Sequence, residues 1–214
     1  MELSLIQKIV IYALPVIFAI TVHEAAHGYA AKYFGDMTAY KAGRISLNPM
    51  RHIDLFGTII LPVLLFWSTQ GSFLFGWAKP VPVDFSRLRN PKKDMLWVAA
   101  AGPASNLVMA ILWIFVFKFS ANSPEYLADP LVAMSNAGIK INIVLMVLNL
   151  LPLPPLDGGR IAVSLLPIKY AMKFAQIERY GFIILIALMF SGVLNQILNP
   201  LINVVYALII SLFG

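Results

Sequence analysis

The sequence predicts an all-α polytopic membrane protein with about five to six transmembrane helices and a small membrane-associated β-hairpin or edge strand. Three observations predict it. Of 214 residues, 60% are hydrophobic and 12% charged, where a soluble domain carries about 25% charged residues. The mean hydropathy is +0.81. Long apolar runs recur along the chain, separated by short polar segments that carry clusters of Lys and Arg. No linker, repeat or low-complexity tract divides the chain, so residues 1–214 read as a single domain. There is no cysteine, which removes disulfides, thiolate metal sites and Cys nucleophiles together. No small-residue cleavage site follows the first apolar run, so that run is expected to stay as a span rather than leave as a signal peptide. The net charge of +6 reads as Lys and Arg on cytoplasmic loops, not as a nucleic-acid footprint.

The first apolar segment runs from about Leu5 to Phe34, apolar to Val22 and polar over its last three turns. Pro15 is placed to kink it, and Gly35-Asp36 to stop it. Residues 36–56 read as a loop, with GRISLN (43–48) as a short strand candidate. GTIILPVLLFWST (57–69) is short for a span and reads as re-entrant, unless it continues to about Trp77 and crosses. FLFGWAKPVPVDF (73–85) alternates, with Val81, Val83 and Phe85 on one face. Pro80 and Pro82 lack N–H donors, which confines any strand here to an edge. SRLRNPKKD (86–94) is a basic loop. LWVAAAGPASNLVMAILWIFVFKF (96–119) and VAMSNAGIKINIVLMVLNLLPL (132–153) are the clearest spans, joined by a loop with Glu125 and Asp129 and no base. LPLPPLDGGR (151–160) breaks the second span, and a basic loop follows. GFIILIALMFSGVL (181–194) and PLINVVYALIISLF (200–213) read as two short spans, or one span and an interfacial helix. The basic stretch 87–93 is assigned to the cytoplasm. Span 96–119 then runs outward and 132–153 returns, so His23 and Asp157 are expected at similar depth on the cytoplasmic side.

TVHEAAHGYA (21–30) ends the first apolar run with His23, Glu24 and His27. Residues i and i+4 share one helix face, so the two imidazoles can hold one metal ion. Glu24 then stands ready to take a proton from a metal-bound water. Ionisable groups this close to a membrane core point to function; the plainer alternative is two hydrogen-bonded residues on a packed helix. A catalytic zinc needs a third protein ligand and an open position. A metzincin would place His at position 33, where this chain has Tyr33. Asp157, at the mouth of a span in LPPLDGG, is the preferred third ligand. The neighbouring prolines prevent a regular helix, and Gly158-Gly159 allow a sharp turn that aims the carboxylate back into the bundle. The alternative is that Asp157 caps the next helix. His52 and Asp54 stay open as ligands, or as residues that hydrogen-bond within their loop. Asn106 and Asn149 are polar groups inside spans, open between helix–helix hydrogen bonding and holding a substrate carbonyl or oxyanion.

HEAAH on the first helix, AGPASN opening a middle span and NLLPLPPLDGG closing a third together resemble the site-2 protease family of intramembrane metalloproteases, peptidase family M50. The likeness covers residues 5 to about 160, with the C-terminal helices (178–214) less diagnostic. FGWAKPVPV and SLNPMRHIDLFGT resemble the short prokaryotic members, without a PDZ or CBS domain. The resemblance implies one Zn2+ per chain, held by His23, His27 and Asp157, with Glu24 as general base. It implies a supporting role near the site for Asn149, Pro152 and Pro155, and for Asn106. It implies a three-helix catalytic core made of the first segment, 96–119 and 132–153. The function it implies is hydrolysis of peptide bonds within or near transmembrane helices of membrane-anchored proteins, by a multi-pass enzyme of the plasma or inner membrane. The partners expected are a transmembrane-helix substrate and the lipid bilayer, with no nucleic acid; the oligomeric state stays open. An unwound substrate is expected to add as a strand along 73–85, through Val81 and Val83. The rival readings are a divalent-metal transporter, which would line a path with polar groups on several spans, and a catalytically inactive substrate-binding scaffold.

Overall fold

The computed structural model describes residues 5–68 and 76–214. Along the chain come α1 (Leu5–Tyr33), the single turn α2 (Thr38–Lys41), α3 (Leu61–Ser68), α4 (Pro91–Ser120), α5 (Glu125–Asn149), α6 (Asp157–Leu165), α7 (Ile168–Ala175), α8 (Glu178–Phe190) and α9 (Val193–Phe213). The helices α1, α4 and α5 each pack on the other two and form the core. On α1 the inward positions are small: Ala19, Ala25 and Ala31 are wholly buried. Small residues let helix backbones approach closely, which is how apolar helices associate without a hydrophobic drive. Between α4 and α5, larger groups fill most of the seam: Ile114 meets Ile139, Ile143 and Met146 beside Ala110, and Leu198 and Ile209 of α9 close the outside.

Helix boundaries follow from local chemistry. Gly35 takes φ +110° just after α1, where a side chain would be strained. Next to it the buried Asp36 carboxylate accepts from the N–H of Thr38 at 2.9 Å and from the N–H of Asp84 at 2.7 Å. The helix α4 starts five residues before the predicted span, because Pro91 fits the first turn and Asp94 accepts from the Asn90 N–H at 2.7 Å. The predicted basic loop 86–94 is therefore partly helix. The helix α5 stops at Asn149, short of the predicted 153: Pro152 lacks the N–H that would bond back to Leu148, and its ring would crowd that carbonyl. It also begins at Glu125, inside what reads from sequence as a loop. The stretch 157–175 holds two short helices where the sequence reads as a basic loop.

Among the described residues, four helices are long and apolar enough to cross a membrane: Val10–Tyr33, Pro91–Ser120, Tyr126–Asn149 and Val193–Phe213. The expectation of five to six also counted two shorter elements. One is the π-helical turn Leu55–Ile60 running into α3, the other is α8 of 13 residues. At 1.5 Å per residue each covers about 20 Å, short of the hydrocarbon thickness of about 30 Å. Gly192, at φ +76°, separates α8 from α9, so the C-terminal part holds one helix of spanning length and one shorter.

Among the described residues there is no β-strand, and the predicted hairpin is absent from 43–48 and 76–85; residues 69–75 lie outside the described part. The physical reason is where the backbone donors go. The Trp77 N–H bonds to Gly57 O at 3.0 Å and the Lys79 N–H to His52 O at 2.9 Å. Pro80 and Pro82 have no donor, and the N–H groups of Val81 and Asp84 bond to the carboxylates of Glu24 and Asp36. The segment is tied to side chains and turns rather than to a neighbouring strand.

Candidate active site

The site is built where the C-terminal half of α1, the N-terminal half of α4 and the start of α6 meet. On α1 the i, i+4 spacing brings His23 Nε2 and His27 Nε2 to 3.1 Å. Asp157 is the first residue of α6. Its Oδ2 lies 3.2 Å from His23 Nε2 and 3.3 Å from His27 Nε2. Among the described residues this is the one group of His, Asp and Glu ligand atoms that converges so closely. His52 and Asp54 serve their loop instead: the His52 ring bonds to Ser46 O at 2.8 Å, and Asp54 accepts from the Gly57 N–H at 2.7 Å.

The hydrogen bonds behind the two rings fix their tautomers. His23 Nδ1 stands 2.6 Å from Asn106 Oδ1, and His27 Nδ1 stands 2.7 Å from Val98 O. Both partners are acceptors, so each Nδ1 carries the proton and a neutral ring keeps its Nε2 lone pair. Asp157 Oδ2 is buried with no hydrogen-bond donor. Two lone pairs and a carboxylate oxygen facing one another inside a protein repel unless a cation lies among them. Donors about 2.0–2.1 Å from a tetrahedral ion lie about 3.3–3.4 Å apart, and the measured edges are 3.1, 3.2 and 3.3 Å. The residues present fit a zinc ion.

Glu24 lies one residue beyond His23, half-buried, and its Oε2 accepts from the Val81 N–H at 2.7 Å. A cavity of about 260 Å³ opens beside the cluster, lined by His23, Glu24, Trp77, Asn149, Pro155 and Phe182 among others. Asn149 also donates back to Leu145 O at 3.0 Å. Pro152 is exposed. Asn106 is fully buried behind His23, and its amide holds the ring. Val81 is buried, and Val83 packs against the cluster of Ala31, Leu88 and Val98.

Three participants escaped the sequence reading. The Val98 carbonyl carries no sequence signal. Asn142 of α5 accepts from Asn106 at 3.0 Å; an amide inside an apolar span was the available cue. Gly102, in AGPASN, sits against both rings: a Cβ there would come 2.6 Å from His23 Nε2. The glycines after Asp157 also act differently from expectation. Gly158 and Gly159 are helical, not turned. A Cβ on Gly158 would strike the carbonyls of Leu150 and Leu151, and one on Gly159 would strike Pro154. They let α6 pass tightly under the proline-rich break, which is what carries Asp157 to the imidazoles. Asp157 does not cap α6 by a side-chain hydrogen bond.

Residues 124–192 match the family model described as Peptidase family M50. The chain is 40% identical over 216 residues to "Putative zinc metalloprotease YwhC" of Bacillus subtilis, covering 99% of this chain and 93% of that protein. It is 30% identical over 185 residues to "Putative zinc metalloprotease Rip2" of Mycolicibacterium smegmatis, covering 84% and 66%. A Mycobacterium tuberculosis protein of the same name is 28% identical over 181 residues, covering 83% and 65%. No solved structure matches. The chain belongs to peptidase family M50. The matched segment includes Asp157 but not His23 and His27, and the fold brings the two parts of the site together.

Gly102→Ala is expected to abolish stoichiometric zinc binding in purified protein while far-ultraviolet circular dichroism keeps the helix content. Normal zinc content in this variant would contradict the close packing of α4 on the ligand rings.

Proposed function

We propose that this protein is a zinc-dependent intramembrane endopeptidase, cleaving peptide bonds within or near transmembrane segments of membrane-anchored proteins. The observation that carries the proposal is the convergence of His23 Nε2, His27 Nε2 and Asp157 Oδ2 beside Glu24 and next to a cavity lined in part by helices of membrane-spanning length. The names of the relatives and the family support a metalloprotease; the position of the site beside helices of spanning length supports a membrane substrate. His23, His27 and Asp157 would hold one zinc ion, which supplies Lewis acidity that polarises the scissile carbonyl and acidifies a water. Glu24 takes the proton from the attacking water and passes it to the leaving amine. The Val81 N–H holds the Glu24 carboxylate toward the cavity. Asn149 and Pro155 line the wall that a substrate backbone would meet.

The basic residues support an active site facing the cytoplasm. Lys32 ends α1, Lys92 and Lys93 begin α4 and Arg160 lies on α6, all at the end of the bundle nearest the site. Glu125 and Asp129 lie at the start of α5, the opposite end. Positive charge of short loops stays inside. In this reading the protein crosses a plasma or inner membrane, and water reaches the site from the cytoplasm.

A transmembrane helix hides its peptide bonds in internal hydrogen bonds and must unwind before cleavage. The segment 76–84 has no strand partner among the described residues and runs past Glu24, and its Val83 N–H is not among the donors bonded to the bundle. An unwound substrate is assigned to pair along it, by strand addition. Val81 and Val83 anchor the segment to the bundle rather than touching the substrate with their side chains.

Glu24→Gln is expected to lower cleavage of a reconstituted transmembrane substrate by about 10²-fold or more while keeping zinc. Equal turnover by the variant would defeat the protease mechanism; altered zinc flux in liposomes without proteolysis by either form would favour a transporter. Val83→Pro is expected to slow proteolysis with zinc content unchanged, and undiminished proteolysis would remove the strand-addition proposal.

A further inference from the structure

We propose that Asn142 is a positioning residue for the metal centre, fixing the protonation pattern of His23 through Asn106; this rests on the zinc reading above. His23 can ligate through Nε2 only while Nδ1 keeps its proton, and that requires an acceptor behind the ring. The acceptor is an amide, and an amide can present either its oxygen or its nitrogen. What decides is the partner on its other side. Asn106 Nδ2 faces two oxygens, Asn142 Oδ1 at 3.0 Å and Ala19 O at 3.3 Å. Asn142 is itself held the right way round, because its Nδ2 donates to Gly138 O at 2.8 Å. Both amides are wholly buried, away from water that could satisfy a flipped amide. The chain of donors therefore runs one way: His23 to Asn106, Asn106 to Asn142, Asn142 to a helix carbonyl. It crosses all three core helices, from α1 through α4 to α5.

If Asn142 loses its oxygen, only the longer bond to Ala19 O opposes a flip of Asn106. A flipped amide would present N–H to His23 Nδ1, move the ring proton to Nε2 and remove a ligand lone pair. Outer partners of metal-bound histidines typically change affinity by about 10–100-fold when removed. Asn142→Leu keeps the shape and deletes the polar atoms. Asn142→Asp, neutral in this buried site, restores both functions: its hydroxyl donates to Gly138 O and its carbonyl accepts from Asn106.

The test measures zinc affinity by chelator competition, and the His23 ring tautomer by ¹⁵N NMR in metal-free protein. The proteins compared are wild type, Asn142→Leu, Asn142→Asp, Asn106→Ala and the Asn106→Ala/Asn142→Leu pair. Expected are a loss of about 10–100-fold for Asn142→Leu, recovery in Asn142→Asp, and no further loss when Asn142→Leu is added to Asn106→Ala. The His23 tautomer should shift from Nδ1–H toward Nε2–H in Asn142→Leu. An unchanged tautomer, or losses that simply add in the pair, would overturn the proposal, because a packing role moves neither. If wild type binds no zinc, the zinc reading falls separately, and the tautomer of the metal-free proteins still decides whether Asn142 acts on His23.

Discussion

The fold is arranged around three candidate ligand atoms that face one another. His23 Nε2, His27 Nε2 and Asp157 Oδ2 sit within 3.3 Å of one another, an arrangement that is repulsive without a cation and favourable with one. Two of the ligands come from one helix, which costs little: a single turn of α1 places them. The third comes from the far part of the chain, and bringing it in sets the demands on the rest of the fold. The helix α5 must stop at Asn149, the chain must reverse through the prolines, and α6 must fit under the reversal without side chains at 158 and 159. The helix α4 must then lie against both rings, which Gly102 allows.

A polar site at the end of a membrane bundle carries a second constraint. Buried polar groups lacking partners cost about 1–3 kcal/mol each, and no bulk water stands behind α4 and α5 to supply partners. The site meets this by spending backbone and amide groups on each functional side chain: Asn106 and Asn142 behind His23, the Val98 carbonyl behind His27, the Val81 N–H on Glu24. The acceptors also set direction. Each ring nitrogen that faces away from the metal position meets an oxygen, so the nitrogens that face inward keep their lone pairs. Orientation of the ligands and helix–helix adhesion are thus served by the same hydrogen bonds.

The residues that cluster at the candidate site were legible in the sequence, because such groups are rare in apolar surroundings. HEAAH at the end of a hydrophobic run and Asp157 in a break between helices are exceptional by composition alone, and they meet in space. The long helices were legible from apolar length, with ends misplaced where helix continues into polar sequence: Lys92 and Lys93 at the start of α4, Glu125 at the start of α5. The segment 76–85 misled for a definite reason. Its alternation is real, since Val81 is buried and Val83 and Phe85 pack inward, but it records a loop lying on a core rather than a paired strand. Gly158 and Gly159 misled similarly: glycine signals a turn or a close approach, and only the packing of the Leu150 and Leu151 carbonyls tells which. Asn142 was visible as an amide in a span, but its partner lies 36 positions away along the chain, and nothing in one sequence pairs them.

The most direct test of the central claim is zinc K-edge X-ray absorption on the purified protein with the metal content measured on the same sample. Expected are one zinc per chain in a four-coordinate shell of nitrogen and oxygen at about 2.0–2.1 Å, with the multiple-scattering pattern of two imidazoles, and loss of that shell in Asp157→Ala. A protein that binds no zinc, or a zinc shell with a single imidazole that survives Asp157→Ala unchanged, would contradict it.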